Sequence, residues 1–431
     1  MTEISRPPQP TQLEELCIPE NVVEAIILKT MKKLGSIDEN TISNELRLAI
    51  PLTKIFIKNL KDRKLIDTLS GMKLGLTVEG KILTNELMKE DGYTGPLPVP
   101  FSDYCEMVEL QASESRRVSL HDVLSSFSGF EMKPSFLQDL KEGFNSQRPI
   151  LFYGPPGNGK TLVTELLNKL LAETVNIPYA VEFNGNVIQL FDPSLHRLVE
   201  ERELSMDEKR KLIVSGMKKR DERWVVCRAP LVVVGTEFRV TDFEIPFTGK
   251  YDATSVMKAN NGIFVIDDFG RQEDTPEQIL NQFIYPLESQ KCIIRLQDGS
   301  RMVIPYKQRL YLSTNLNKEE IIDDAFNRRL LYQFLIDRPS DEMWKRIFVN
   351  TVKKYFPNTE DSLLASLGED IHNWYREDKR VIRACDPRNL CLMLDATLGE
   401  GETMNLNREL LRRIYEKFPY SGEETQKVYG S

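Results

Sequence analysis

The chain has 431 residues, is 41% hydrophobic and 28% charged, and carries a formal net charge of −8. This length suits about two to four domains, and the acidic balance excludes a chain that coats nucleic acid through bulk charge, although not a local basic face. Scattered cysteines without CxxC spacing, three separated histidines and no apolar run near the ~20 residues of a membrane span favour a reduced, cytoplasmic protein without structural zinc or disulfides.

The first predicted elements form a compact N-terminal unit. After a Pro-rich start (1–20), which we expect to be disordered, helical spacing in "NVVEAIILKTMKKL" predicts a first helix, and Ser36 or Asp38 is the expected N-cap of a second. Pro51 fits the first turn of a third helix, which is followed by two short strands around a glycine turn and by a closing helix. Three helices and a hairpin of this size resemble a winged-helix domain, an α+β unit over residues 21–92.

The third predicted helix carries a basic stripe, formed by Lys54, Lys58, Lys61 and Lys64 at three- to four-residue spacing. Lysines in this pattern could contact DNA phosphates, but they also suit the solvated face of a protein-docking module, and the sequence leaves both readings open. Pro and Gly in "GYTGPLPVP" then favour an extended linker, which we place at residues 93–118.

The segment "GPPGNGKT" fits the phosphate-binding pattern G-x-x-x-x-G-K-[ST], between an apolar strand "ILFY" and an amphipathic helix. Its glycines let successive backbone N–H groups point at phosphate oxygens, the lysine reaches the β- and γ-phosphates, and the threonine hydroxyl ligates magnesium. We therefore predict an ATP and Mg²⁺ site. The expected binding residues are Gly154, Pro155, Pro156, Gly157, Asn158, Gly159, Lys160 and Thr161.

A second motif, "GIFVIDDFGRQ", delivers two carboxylates from the end of an apolar strand. Asp267 is the expected partner of magnesium, through the water shell of the ion, and Asp268 follows it at the same strand end. A core strand followed by an acidic turn would give the same pattern, but its pairing with a phosphate loop favours the metal and phosphate site.

These two motifs, followed by three further signals in order, resemble the AAA+ ATPases over roughly residues 120 to 420. The resemblance implies that Asn315, at the end of the strand "RLYLSTN", is the sensor-1 residue, which lies between the phosphate and acidic motifs and helps orient the water. It also implies that Arg328 or Arg329 reaches the nucleotide of a neighbouring subunit as an arginine finger, and that Arg388 is the sensor-2 residue of a helical lid. A ring, expected to be a hexamer, follows from fingers that act between subunits.

Within this family the chain resembles the helix-2-insert branch (MoxR-type proteins and relatives) and a little-characterised bacterial group with an N-terminal winged-helix-like domain. The stretch between Lys160 and Asp267 is longer than a minimal AAA+ core needs, and "KCIIRLQDGSRMVIP" predicts a β-hairpin around an Asp-Gly turn before sensor 1. Four amphipathic helices after residue 338 predict an all-α lid.

The expected fold is therefore α/β: a P-loop AAA+ core with a parallel sheet flanked by helices, an all-α lid, and a preceding winged-helix-like α+β domain. The predicted segments are a disordered start (1–20), a winged-helix-like domain (21–92), a linker (93–118), the AAA+ core with inserts (119–338), the lid (339–420) and a tail (421–431).

The resemblance implies that Asp268 is the general base for the attacking water. The family usually has Glu at this position, and Asp is one methylene shorter. A misplacement of ~1 Å can cost ~100-fold in rate, so we expect slow hydrolysis. The favoured function is a ring ATPase that remodels or assembles a protein or protein–nucleic acid client, whose identity the sequence does not supply. The alternatives are a DNA-binding regulator that uses residues 21–92 and is switched by ATP, or a nucleotide-locked scaffold without turnover.

Overall fold

A computed structural model describes residues 5–113, 117–171, 174–199, 219–321, 327–397 and 406–419. Within those ranges no helix combines the length and apolar character that crossing a membrane requires. The chain forms two compact units, one from residues 1–116, 171–265 and 272–310, and the other from residues 117–170, 266–271 and 311–431. The predicted tail and residues 1–4 of the predicted disordered start lie outside the described ranges.

The elements are numbered in chain order. Those up to residue 113 are α1 (Leu13–Leu16), α2 (Glu20–Leu34), α3 (Glu39–Leu46), α4 (Ile50–Asp62), β1 (Ile66–Thr68), β2 (Leu74–Leu76), α5 (Val78–Glu90), β3 (Val99–Pro100) and α6 (Phe101–Ser113). Next come α7 (Leu120–Ser126), α8 (Pro134–Ser146), β4 (Ile150–Tyr153), α9 (Lys160–Asn168), β5 (Val175–Pro178), β6 (Ala180–Phe183) and β7 (Asn186–Gln189).

The second half of the chain completes the set. It contains β8 (Trp224–Cys227), β9 (Leu231–Val234), β10 (Glu244–Ile245), β11 (Tyr251–Asp252), α10 (Ser255–Lys258), β12 (Ile263–Ile266), α11 (Pro276–Ser289), β13 (Lys291–Leu296), β14 (Arg301–Pro305), β15 (Arg309–Thr314) and α12 (Lys318–Ile321). The last elements are β16 (Tyr332–Leu335), α13 (Asp341–Tyr355), α14 (Asp361–Glu377), α15 (Asp386–Thr397) and α16 (Arg408–Lys417).

The N-terminal helices and hairpin form as the sequence patterns predict. Asp38 is the N-cap of α3, where its side chain accepts a hydrogen bond from the Thr41 N–H at 2.8 Å, and Pro51 lies in the first turn of α4. Strands β1 and β2 pair antiparallel. Of the four lysines predicted to form a basic stripe on one helix, Lys54 and Lys58 are exposed on α4 and Lys61 is half-buried there. Lys64 is exposed but lies beyond the end of α4 at Asp62, with a φ of 56°.

The start of the chain differs from the disordered segment that we expected. Residues 5–20 contain α1, and the side chain of Leu16 is 1% exposed within the apolar core of the N-terminal helices. Pro8 also forms a β-bridge with Arg220. The prolines do not prevent packing here, because the apolar side chains between the polar residues are removed from water on folding.

The expected linker, 93–118, is also ordered and packed in its described residues, 93–113 and 117–118. Val99 in β3 pairs with Val181 in β6, and α6 buries Tyr104 and Met107. The expected core domain, 119–338, is divided between the two units, because the apolar core of the N-terminal helices includes Ala180 and Val187 from β6 and β7.

A five-stranded parallel sheet has the strand order β16–β4–β15–β12–β9. Its strands β4, β12 and β15 are almost wholly buried, as the continuous apolar runs of a sheet covered by helices on both faces require. The carboxyl ends of parallel strands share one edge of a sheet, and this edge carries the phosphate loop, the two acids and Asn315. The α/β core is thus confirmed.

The predicted hairpin before β15 is present. Strands β13 and β14 pair antiparallel around Asp298 and Gly299, and Gly299 takes the positive φ (84°) of a tight turn. The helices α13 to α16 share one apolar core, in which the ring of Trp344 is fully buried beside Tyr375. The segment predicted to be a lid thus consists of helices in its described part.

Candidate nucleotide site

The phosphate loop connects β4 to the first turn of α9 through three glycines with positive φ. The φ angles of Gly154, Gly157 and Gly159 are 132°, 79° and 99°, which favour glycine over any other residue. A Cβ at Gly154 would also lie 2.5 Å from the carbonyl oxygen of Ile336. The loop leads into the N-terminus of α9. The first N–H groups of a helix have no partner within the helix and favour an anion.

Lys160 lies at the mouth of this loop and is 7% exposed. Its Nζ donates hydrogen bonds to the carbonyl oxygens of Gly154 (2.8 Å) and Pro155 (3.0 Å) and to Asn315 Oδ1 (2.5 Å). Burial lowers the pKa of Lys160, and the nearby charges of Asp267 and Asp268 oppose that shift. The ammonium group is thus positioned between the loop carbonyls and the two acids.

The two acids follow β12 and are half-buried. The Asp268 N–H donates to Asp267 Oδ1 at 3.0 Å, and Asn315 Nδ2 donates to Asp268 Oδ1 at 2.7 Å. The amide of Asn315 therefore contacts Lys160 through its oxygen and Asp268 through its nitrogen. Candidate residues from three separate sequence motifs meet at one point.

The backbone of Asp268 is in the left-handed region, with a φ of 48°. The next residue holds it there: Phe269 is fully buried, its N–H donates to Ser313 O at 2.7 Å, and its carbonyl accepts from Thr314 Oγ1 at 2.8 Å. Among residues with a Cβ, Asp and Asn enter this region most readily. This geometry gives a physical reason for Asp rather than Glu at position 268, which sequence reasoning missed.

The lid contacts the phosphate loop through the segment 383–386. The Cys385 N–H donates to Gly157 O at 2.9 Å, and the Ala384 N–H donates to Asn158 Oδ1 at 3.2 Å. Arg388, the predicted sensor 2, is exposed in the first turn of α15. The arginine packed against the loop is Arg383, whose Cδ would lie 3.4 Å from a Cβ at Gly157.

Sequence reasoning missed the segment 383–386 because its contacts use backbone N–H groups, which no residue pattern marks. The predicted finger residues lie shortly before β16, where Arg328 is exposed and Arg329 is partly exposed. The segment just before them, 322–326, lies outside the described residues.

The residues present suit a magnesium ion bound together with a nucleotide. No group of three or more His, Cys, Asp or Glu side chains in the described ranges could hold a metal ion by itself. Mg²⁺ typically takes one or two protein ligands, with phosphate oxygens and waters completing an octahedron. Thr161, whose side chain is exposed at the start of α9, and the half-buried Asp267 match that requirement.

Asp386, in the lid segment that contacts the loop, is 4% exposed. Burial raises its pKa to about 6, although the Arg383 N–H donates to its Oδ2 at 2.9 Å. The folded protein therefore holds this proton more tightly than the unfolded chain does. Stability is lost as the pH rises from about 4 to about 6, and the loss persists above that range.

We accordingly expect Asp386→Asn to gain stability relative to the wild type as the pH is raised. The difference in the free energy of unfolding between the two proteins should move by on the order of 3 kcal/mol in favour of the variant between pH 4 and pH 7. Urea unfolding at both pH values measures it. Asp395→Asn, an exposed position on the same helix, controls for loss of charge, and a difference that does not change with pH would contradict the assignment.

The structure is similar to that of a single-residue mutant of RuvB from Thermogota maritima, at 14% identity and a TM-score of 0.33, over 67% of this chain and 70% of that chain. No protein-family model and no curated protein matches the sequence. The strand order and the contacts described above define the fold and the site.

Proposed function

We propose that the chain is an AAA+ ATPase that binds ATP with Mg²⁺ and hydrolyses it. One observation carries the proposal: β15 lies between β4 and β12, and Asn315 at its end contacts both Lys160 and Asp268. A buried strand with an acidic turn would not need a polar residue that joins the phosphate-loop lysine to a carboxylate. The arrangement matches the sensor-1 position that the family resemblance implies.

The contacts suggest how the residues act on a nucleotide. The loop N–H groups and Lys160 bind the β- and γ-phosphates, and Lys160 exchanges its bond to Asn315 for phosphate oxygens. Asn315 is then able to orient a water, and Asp268 accepts the proton of that water. Magnesium, held by Thr161 and Asp267, would neutralise the negative charge that develops on the phosphates.

The proposal extends to a ring of subunits, with six as the expected number, that remodels a protein client in the cytoplasm. The exposure of Arg328 supports an arginine that acts on a neighbouring subunit. Residues 21–92, with their helix–hairpin order, serve in this proposal as a winged-helix-like docking module. A finger arginine supplies transition-state stabilisation that can change the rate by about 10³- to 10⁵-fold.

A mixing experiment tests the finger. A variant with both Arg328→Ala and Arg329→Ala has an intact site of its own but no finger, whereas Asp268→Asn has fingers but an impaired site. We expect each variant alone to release phosphate at least ~100-fold more slowly than the wild type. A 1:1 mixture should recover more than about a tenth of the wild-type rate, because those double-variant sites that adjoin an Asp268→Asn subunit receive a finger from it.

The controls separate this effect from general damage. Arg413→Ala removes an exposed arginine on the lid helix α16 and should leave the rate unchanged. Phosphate release should vanish with EDTA and should rise more steeply than linearly with protein concentration. A mixture no faster than the sum of its parts would contradict a finger that acts between subunits.

A further inference from the structure

The lid segment 383–386 is bonded to the phosphate loop at two adjacent residues. Gly157 accepts a hydrogen bond from the Cys385 N–H, and the side-chain oxygen of Asn158 accepts one from the Ala384 N–H. Asn158 is 5% exposed, and its Nδ2 also donates to Pro155 O at 3.3 Å. Its side chain thus joins the start of the loop to the lid.

The bond to Gly157 has a geometric consequence for the next N–H group. A trans peptide is planar, and its C=O and N–H point in opposite directions. All described peptides are trans, so when the Gly157 carbonyl faces Cys385 the Asn158 N–H must point away from the lid segment. In a phosphate loop successive N–H groups that point to one side bind phosphate oxygens, so this orientation of the Asn158 N–H is the one that phosphate binding requires.

The segment is fixed to the lid, so it moves with the lid. The indole Nε1 of Trp344, which is fully buried in the lid core, donates to Arg383 O at 2.9 Å. On the loop side there is no spare room, because a Cβ at Gly157 would lie 2.8 Å from Cys385 Sγ. A displacement of the lid must therefore break the bonds to Gly157 and Asn158 or carry their peptide along.

We propose that docking of the segment 383–386 holds the Gly157–Asn158 peptide in its phosphate-binding orientation, and that the Asn158 side chain is the positioning residue of this contact. Lid position and nucleotide affinity are then coupled, and the coupling is reciprocal: the docked lid strengthens nucleotide binding, and bound nucleotide holds the lid docked. The inference rests on the proposed nucleotide binding. It assigns the regulation of that binding to the contact between Asn158 Oδ1 and the lid, and Asn158 Oδ1 does not itself need to contact the nucleotide.

The test measures affinity and lid protection together on the full chain. In the wild type, Mg²⁺–ADP and a non-hydrolysable ATP analogue should slow amide hydrogen exchange in a peptide that covers residues 383–390. Asn158→Ala should bind both nucleotides about 5- to 30-fold more weakly by calorimetry. At saturating nucleotide, Asn158→Ala should also lose most of the added protection in that peptide.

Control variants separate loss of the contact with the lid from a general effect of mutation. Asn373→Ala deletes an exposed amide side chain on the lid helix α14, outside the docking segment, and should keep wild-type affinity and protection. Cys385→Ala keeps the N–H that reaches Gly157 and should bind normally, whereas Cys385→Pro removes that donor and should match Asn158→Ala.

Failure of the proposed function and failure of the proposed coupling give different results. A wild type that binds no nucleotide would overturn the proposed function. A wild type that binds nucleotide, together with Asn158→Ala and Cys385→Pro variants that bind equally well with unchanged lid protection, would overturn only the coupling. Circular dichroism of each variant excludes unfolding as the cause of weaker binding.

Discussion

Lys160→Ala is expected to lower the affinity for ATP by about 100-fold or more and to abolish phosphate release. Lys160 is 7% exposed, and its ammonium already lies among the loop carbonyls and Asn315, so it needs little rearrangement to reach phosphate oxygens. A hydrogen bond to a charged group contributes about 1.5–3 kcal/mol, and two such bonds to the β- and γ-phosphates account for a loss of this size. Calorimetric titration with Mg²⁺–ATP measures the affinity.

Lys169→Ala is the matched control, because Lys169 is exposed at the other end of α9. It removes the same charge from the same helix and should bind ATP as the wild type does. If Lys160→Ala bound ATP within a few-fold of the wild type, the loop would not be a phosphate site, and the proposed ATPase would fail with it.

Asp268→Asn is expected to lower the turnover rate by about 10²- to 10⁴-fold, the contribution typical of a general base, while nucleotide affinity stays near the wild-type value. Asn suits the left-handed backbone at this position (φ 48°) and keeps an oxygen that can accept from Asn315 Nδ2. Single-turnover phosphate release separates the two quantities. A wild-type rate in this variant would exclude Asp268 as the base.

The companion variant Asp268→Glu tests the geometric explanation for Asp. Restoring the residue usual in the family would be expected to speed hydrolysis if length alone mattered. The left-handed backbone, fixed by the buried Phe269, should instead make Glu costlier by up to about 1–2 kcal/mol. We therefore expect a lower melting temperature and no gain in rate. A tenfold faster Asp268→Glu enzyme would contradict this explanation.

The strands, helices and loop that form the site could be predicted from the sequence, but the contacts between them could not. Apolar runs and glycine spacing located β4, β12, β15 and the phosphate loop, because those patterns come from burial and from backbone sterics. The lid helices followed from amphipathic spacing for the same reason. Residues 5–20 and the expected linker were assigned from Pro and Gly content, yet both pack, since long-range contacts with β6 and Arg220 decide their structure.

The local geometry of the site could not be predicted from the sequence. The positive φ of Asp268 depends on how Phe269 and Ser313 pair across the sheet, and the position of Arg383 depends on how the lid core places Trp344. Both relations join residues that are distant in sequence and follow no periodic pattern, so a local stretch of sequence does not predict them. Arg388 was singled out from its Pro-Arg context, but in the structure its side chain is exposed, whereas Arg383 lies against the loop.

The order of strand pairing also has a consequence for how the chain is made. Strand β4 pairs with β15 and β16 on its two sides, and Ile150 is matched with Tyr311 and with Tyr332. At about 5–20 residues per second, these partners leave a ribosome roughly ten to thirty seconds after β4 does. Both edges of β4 lack their native partners for that time, so the phosphate loop takes its final shape late in synthesis. An unpaired apolar strand can pair with other chains, so β4 is a site where the nascent chain needs protection from aggregation.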